Sequence, residues 1–270
     1  MTTMNTPLPH VRESGTGTSI VCLHANASSS AQWRPLMERL APRFRVVAPD
    51  LYGAGNSPEW PSDRVIALAD ELALVRPVLA AAGTPFVLIG HSYGAAVALI
   101  AALAERQRLA ALVVYEPTLF ALIDADAAPP NEADGIRDAV ADAAQALDDE
   151  DVDGAARRFI DYWSGAGSWD RVPEHRKPAL AASITNIRRW GHALFNEPTP
   201  LAAFAALDVP VLVLSGARST AAARGVVRRL VRVLPRAELV ELAELGHMGP
   251  VTDPATVDPI IAEFLERVVH

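Results

Sequence analysis

The sequence predicts an α/β protein in which a mostly parallel, doubly wound sheet carries an inserted helical cap. Short apolar runs rich in β-branched residues alternate with longer Ala/Leu/Arg-rich segments of helical period, which is typical of βαβ units. Runs such as FVLIG and PVLVLSG are apolar throughout, as expected for strands buried on both faces of a parallel sheet. One long stretch without a convincing strand interrupts this alternation, and it predicts the helical insertion.

The elements of the predicted sheet follow from these runs. We expect strands at Ser19–His24, Arg45–Pro49, Pro85–Gly90, Ala111–Glu116, Pro210–Ser215 and Ala237–Leu242. An extended segment at His10–Glu13 predicts an antiparallel edge strand. The helices between the strands are predicted at Gln32–Leu40, Val65–Ala81, Ala95–Ala104, Ala221–Val233 and Pro259–Val268.

The strand-free stretch divides the chain into a sheet core and a cap. We assign residues 1–117 and 200–270 to the core and residues 118–199 to the cap. The turn signals APPN, SGAG and EPTP punctuate the cap segment. They separate predicted helices at Ile136–Leu147, Asp153–Trp163 and Pro178–Phe195.

Composition excludes several classes of partner. The 270 residues carry a formal net charge of −8, which disfavours binding to nucleic acid. No run is long and apolar enough for a membrane span, and MTTMNTPLPH has no feature of a secretory signal, so no membrane association is expected. The single cysteine, Cys22, cannot form an intrachain disulfide, and a cytoplasmic protein is therefore expected. We expect a monomer or a homodimer.

Gly90-His91-Ser92-Tyr93-Gly94 is the first candidate for chemistry. A G-x-S-x-G match alone is weak, but here it follows an apolar strand and opens an Ala-rich helix. Strand, tight turn and helix form the elbow that exposes a serine Oγ, and the flanking glycines let the turn close. Ser92 is therefore the candidate nucleophile.

A histidine near the end of the chain is the candidate base. His247 lies in the glycine-flanked loop LGHMGP, after the last predicted strand. Its unperturbed pKa, near neutrality, suits a side chain that takes and returns a serine proton. The order of an early elbow serine and a late histidine favours this role over a structural one.

Four segments together resemble the α/β-hydrolase superfamily over nearly the whole chain. LHANASSSAQW resembles its oxyanion loop, DLYGAGNS the turn after its fourth strand, and PVLVLSGARS and ELGHMGP its acid and histidine segments. The resemblance implies that the backbone amides of Asn26 and Tyr93 form an oxyanion hole. Ala25 stands where glycine is usual, so the loop is expected to be slightly shifted. By the same resemblance, His24 and His91 are interpreted as structural.

The acid that orients His247 departs from the usual pattern of this superfamily. Its common position corresponds to Ser219, and no carboxylate stands there. Some members, as in the branch that includes haloalkane dehalogenases, place the acid after the preceding core strand, which here ends at Glu116. We predict Glu116, while Asp253, interpreted as a helix N-cap, or no carboxylate at all remain alternatives.

The resemblance implies an acyl-transfer enzyme that needs no cofactor and no metal ion. The aromatic cap predicts a small or medium apolar ester as substrate, with Trp163, Trp190, Phe120 and Met248 lining its pocket. Asn26 matches the halide-binding asparagine of haloalkane dehalogenases. Those enzymes use an aspartate nucleophile, so Ser92 disfavours dehalogenase and aspartate-type epoxide hydrolase chemistry. Hydrolysis of a carbon–carbon bond, lactone, amide or thioester remains an alternative, as does a non-catalytic ligand-binding protein.

Overall fold

The computed structural model describes residues 7–62 and 64–269. The first six residues of the chain lie outside the described residues. They belong to the N-terminal segment that is interpreted above as lacking a secretory signal. The sheet has seven strands in the order β1-β3-β2-β4-β5-β6-β7, and only β1 is antiparallel to its neighbour. In chain order the strands β1 to β7 are Val11–Ser14, Ser19–Leu23, Arg45–Pro49, Phe86–His91, Leu109–Tyr115, Val211–Gly216 and Ala237–Leu242. The predicted mostly parallel, doubly wound sheet with an antiparallel edge strand is confirmed.

Helices cover both faces of this sheet. In chain order α1 to α12 are Arg34–Leu40, Leu68–Ala81, Tyr93–Glu105, Ala121–Asp126, Asp134–Asp148, Val152–Ser164, Ser168–Arg171, Lys177–Ile184, Ile187–Phe195, Ala221–Val233, Gly249–Thr252 and Pro254–Val268. Alternate strand residues point to opposite sides, so Val21 and Leu23 join one apolar core with α2, α3 and α10. Ile20 and Cys22 join the other core with α1 and α12. This double cover explains why the central strands read as continuous apolar runs.

The helices α4 to α9 (Ala121–Phe195) lie between β5 and β6 and are called the helical insertion below. The register places β4, β5 and β6 side by side and in parallel, with His91 opposite Tyr115 and Tyr115 opposite Leu214. Because the carboxyl ends of parallel strands meet at one edge, the loops after these strands converge there. The helical insertion begins at this same edge.

Three predicted helices differ clearly from the structure. The helix expected at Val65–Ala81 begins only at Leu68. The expected single helix Pro178–Phe195 is two helices, α8 and α9, which are separated at Thr185 and Asn186. There the Thr185 hydroxyl donates to the Ala182 carbonyl at 2.7 Å, and such local bonds compete with helical ones. The last helix begins at Pro254 rather than Pro259, because the Asp253 side chain caps it by accepting the Thr256 amide at 3.2 Å.

None of the helices in the described part of the chain combines the length and apolarity needed to cross a membrane.

Candidate active site

Ser92 occupies a sharp turn between β4 and α3. Its backbone has φ +56° and ψ −117°, a conformation that residues with a side chain rarely adopt, so its surroundings must hold it. The neighbouring glycines are required by close backbone approach. A Cβ at Gly94 would lie 2.3 Å from the Leu23 carbonyl oxygen, and one at Gly90 would lie 2.5 Å from the Ala95 Cα. The turn therefore fixes the direction in which the Ser92 hydroxyl points.

His247 joins Ser92 to Glu116 in one chain of hydrogen bonds. Its Nε2 lies 2.8 Å from the Ser92 Oγ, and its Nδ1 lies 2.7 Å from Glu116 Oε2. A carboxylate can only accept, so Nδ1 carries the proton and Nε2 is free to accept the serine proton. All three side chains are buried, with exposed fractions of 6% for Ser92, 2% for His247 and 0% for Glu116. Asp253, the alternative acid, instead caps α12.

The Glu116 carboxylate accepts three further hydrogen bonds. The Gly216 amide and the Ser215 hydroxyl donate to Oε1 at 2.7 and 3.1 Å. The Ser219 hydroxyl donates to Oε2 at 2.6 Å, beside the bond from His247. Ser219, at the position where the sequence resemblance leads us to expect an acid, thus contacts the Glu116 carboxylate. Four donors thus satisfy the oxygens of a carboxylate that has no exposure to water.

Two buried side chains hold the histidine loop. His91 donates from Nε2 to the His247 carbonyl oxygen at 2.8 Å, and its Nδ1 lies 3.1 Å from the Gln32 amide nitrogen, which donates to it. Tyr115 donates its hydroxyl to the Gly246 carbonyl at 2.7 Å. Burial, followed by the neighbouring charge of His247, lowers the pKa of His91 to about 3. His91 is therefore neutral and structural, in line with its interpretation from the sequence.

His24 supports the neighbouring loop in a similar way. Its Nδ1 donates to the Ala25 carbonyl at 2.7 Å, and its Nε2 accepts the Leu51 amide at 3.0 Å. Burial lowers the pKa of His24, which keeps the ring neutral. These bonds connect the turn after β3 to the loop after β2.

Asn26 and Tyr93 are the two residues whose backbone amides are expected to form an oxyanion hole. Tyr93 is the first residue of α3, so its amide has no acceptor within the helix. Asn26 lines the same cavity as Ser92, and among the described residues its amide donates to no carbonyl. The left-handed residue of this loop is Ala27, with φ +53°, and not Ala25, where the sequence resemblance implies glycine.

A cavity of about 470 Å³ opens over Ser92 and His247. All four side chains predicted from the sequence, Trp163, Trp190, Phe120 and Met248, line it. The rest of the wall is mostly apolar, and most of it comes from the helical insertion. Its apolar side chains there are Ile136, Val140, Phe159, Ile160, Leu180, Ile187 and Leu194.

Sequence reasoning missed several polar residues around the site. Thr118 lines the cavity, and its buried hydroxyl has no hydrogen-bond partner among the described residues. Arg176 lines it as well. Ser215 and Ser219, which bind Glu116, were not assigned that role. Both serines lie at the carboxyl end of the strand that follows the insertion, and this position was the sequence feature that could have placed them near Glu116.

The indole of Trp163 stacks on the imidazole of His247. The two ring centroids lie 3.9 Å apart and the planes differ by 25°. Trp163 belongs to α6, so the helical insertion contacts the histidine itself as well as lining the cavity. Among the described residues, no group of three or more His, Cys, Asp or Glu side chains is arranged to hold a metal ion.

Three known proteins that are similar to this chain in sequence or structure are hydrolases. The soluble epoxide hydrolase of Corynebacterium sp. is 29% identical over 223 residues, 77% of each chain. The pimeloyl-[acyl-carrier protein] methyl ester esterase of Aliivibrio fischeri is 33% identical over 110 residues, which is 41% of this chain and 40% of that protein. A thermophilic esterase from Thermogutta terrifontis superposes with a TM-score of 0.75 at 25% identity, over 97% of this chain and 94% of that one. The sequence profile of the alpha/beta hydrolase family matches residues 20–259, and the chain belongs to this family.

Proposed function

We propose that this protein is a serine hydrolase that cleaves a small or medium-sized apolar carboxylic ester through an acyl-enzyme on Ser92. One observation carries the proposal. The Ser92 hydroxyl is joined through His247 to Glu116 by contacts of 2.8 and 2.7 Å, and it opens onto an apolar cavity. Nucleophile, base and orienting acid in hydrogen-bond reach are the arrangement that activates a serine.

Acylation begins when His247 Nε2 takes the proton of Ser92 Oγ. The oxygen forms a bond to the ester carbonyl carbon, and the carbonyl π pair moves onto its oxygen. The Asn26 and Tyr93 amides donate to this oxyanion, and the N-terminus of α3 adds a favourable partial charge. The oxyanion then collapses, the bond to the alcohol oxygen breaks, and His247 gives its proton to the departing alcohol.

Deacylation repeats the sequence with water as the nucleophile. His247 takes a water proton, the hydroxide oxygen bonds to the acyl carbon, and the Ser92 oxygen leaves and recovers its proton. Glu116 stays ionised throughout, because it orients the imidazole and stabilises the transient imidazolium. The acid product and free Ser92 remain.

The apolar wall supports the choice of an apolar substrate. We propose that residues 118–199 form the cap and that residues 1–117 and 200–270 form the core. In this division the core supplies the reacting groups, while the cap selects the substrate by shape. Two of the three similar proteins named above are esterases, which agrees with ester hydrolysis. Epoxide opening by an aspartate nucleophile is disfavoured, because the elbow residue here is serine.

A fluorophosphonate probe tests the nucleophile directly. We expect covalent labelling of the intact protein on the peptide that contains Ser92, and no labelling of Ser92→Ala. Turnover by Ser92→Ala should fall by several orders of magnitude, to a residual rate that is roughly 10³-fold above the uncatalysed reaction in water. Ser164→Ala, which removes another serine from the same cavity, is the matched control and should still be labelled. An unlabelled wild-type protein would favour a ligand-binding role, and an active Ser92→Ala variant would contradict the mechanism.

The bond type is tested by substrate panels. Chromogenic esters of increasing acyl length should be cleaved, with turnover falling once the chain exceeds the cavity. A vinylogous diketone, a lactone, an amide and a thioester test the other bonds that the same residues could hydrolyse. If the diketone is cleaved and the esters are not, carbon–carbon bond hydrolysis replaces ester hydrolysis as the proposed reaction.

A further inference from the structure

The contact between Trp163 and His247 goes beyond the lining of a pocket. At a centroid distance of 3.9 Å and an angle of 25°, the indole covers one face of the imidazole. Both ring nitrogens of His247 are engaged at the edge of the ring, by Ser92 and Glu116. Besides these two contacts at the edge of the ring, His247 therefore has the indole of Trp163 against its π face.

The indole is itself held in place by other aromatic rings of the structure. Phe120 stacks at 6.4 Å with an angle of 18°, and Phe159 and Tyr162 approach edge-on at 6.3 and 4.9 Å. Such contacts stabilise one orientation of the ring. Trp163 is thus preorganised against His247 and needs no rearrangement when charge develops there.

The electrostatics favour the protonated imidazole. The face of an aromatic ring carries negative quadrupole density and attracts a cation within about 6 Å, most strongly for tryptophan. The polar groups in contact with His247 are the Glu116 carboxylate, the Ser92 hydroxyl and the His91 ring at 5.3 Å. Arg176 and His175 line the same cavity. Burial lowers the pKa of His91 to about 3, so His91 brings no opposing positive charge near neutral pH.

We infer that Trp163 is a positioning residue that stabilises the His247 imidazolium formed when Nε2 takes the Ser92 proton. This inference rests on the proposed function, because it assigns Trp163 a part in the same acyl transfer. It gives the helical insertion a direct part in the chemistry, since α6 carries the indole.

The rate of fluorophosphonate labelling, measured against pH, tests the inference without knowledge of the substrate. Trp163→Leu keeps an apolar cover but removes the π face. We expect a labelling plateau about tenfold lower and an acidic limb whose midpoint moves down by about 0.5–1 pH unit. Trp163→Phe should lie between wild type and Trp163→Leu. The control Trp60→Phe changes an indole that packs on Tyr52 and does not line the cavity, and it should leave the midpoint unchanged.

A merely structural role predicts a different outcome. If Trp163 only shields the site, its removal admits water, which stabilises the imidazolium and moves the midpoint up or leaves it in place. Ring-fluorinated tryptophans, which weaken the quadrupole without changing the fold, should lower the plateau in step with fluorination in wild type. They should have no such effect in a Trp163→Phe background. An unlabelled wild type would refute the proposed function, whereas normal labelling with an unmoved or raised midpoint in Trp163→Leu would refute the inference alone.

Discussion

The sheet core and the helical insertion place their side chains under different constraints. In the core, β2, β4 and β6 are buried at every position, and the residues at their carboxyl ends have little freedom to move. In the insertion, α8 buries only Ile184, and ion pairs such as Arg157–Asp170 lie largely exposed. The groups proposed to react come from the core, and most of the cavity wall comes from the insertion. A change in the insertion can therefore alter the cavity without disturbing the alignment of Ser92 and His247, except at Trp163.

The largest effect is expected where the core orients His247. Glu116→Gln should reduce turnover by roughly 10²–10⁴, because an amide can offer its NH₂ group to Nδ1 and so favour the wrong tautomer. Steady-state kinetics on an ester that the wild type cleaves measures this. Ser219 stands at the usual position of the acid. The turnover of the double variant Glu116→Gln/Ser219→Asp should therefore be about tenfold higher than that of Glu116→Gln. Full activity of Glu116→Gln would remove Glu116 from the proposed mechanism.

A matched pair of glycines compares the packing of the two regions. Gly94→Ala brings a Cβ to 2.3 Å from the Leu23 carbonyl oxygen, a backbone atom, and should destabilise the protein by roughly 3 kcal/mol. Gly191→Ala in α9 meets the Val140 Cγ1 at 3.0 Å, and that side chain can shift. The gain in helix propensity should offset most of its cost, leaving a change within about 1 kcal/mol. Urea unfolding measures both, and equal losses would contradict the difference between the regions.

The smallest effect concerns buried charge in the core. Burial raises the pKa of Asp258 in α12 to about 7, against the attraction of Arg39. The folded state therefore holds this proton more tightly than the unfolded state, and stability is lost as pH rises from about 4 to about 7. Asp258→Asn should flatten this dependence and add on the order of 1 kcal/mol at neutral pH.

The control for Asp258→Asn is Asp170→Asn in the insertion. This variant removes one member of an exposed ion pair and should leave the stability of the protein unchanged. Thermal unfolding of both variants at several pH values separates the two cases. A loss of stability in Asp258→Asn at neutral pH would show that the ionised carboxylate has a favourable role in the fold.

Much of the sheet could be predicted from the sequence because its signals are local. Arg45–Pro49 and Ala237–Leu242 have the predicted bounds, and each follows from a short run of residues that are adjacent in the sequence. Glu116 could be selected because it is the carboxylate at the end of the strand that precedes the insertion. The resemblance to the family supplied the remaining step, that this position can orient the histidine.

Other features depend on contacts between distant parts of the chain. The stack of Trp163 on His247 requires α6 to cross the histidine loop, and nothing in either local sequence specifies that crossing. The hydroxyl of Ser219 contacts Glu116 only because β5 and β6 are neighbours despite the insertion between them. The break between α8 and α9 did carry a local signal, because Thr185 and Asn186 are residues that compete with helical hydrogen bonds.

The order of the strands along the chain also determines when the site becomes complete during translation. Ser92 and Glu116 are synthesised before the insertion, and they directly follow strands β4 and β5, which pair with each other. His247 is synthesised only after β7, which must pair with β6 before its loop can reach Ser92. A ribosome-bound chain that lacks β7 therefore carries Ser92 without the histidine that is proposed to activate it. The proposed reactivity of Ser92 arises late, once the segments that line its cavity have already been made.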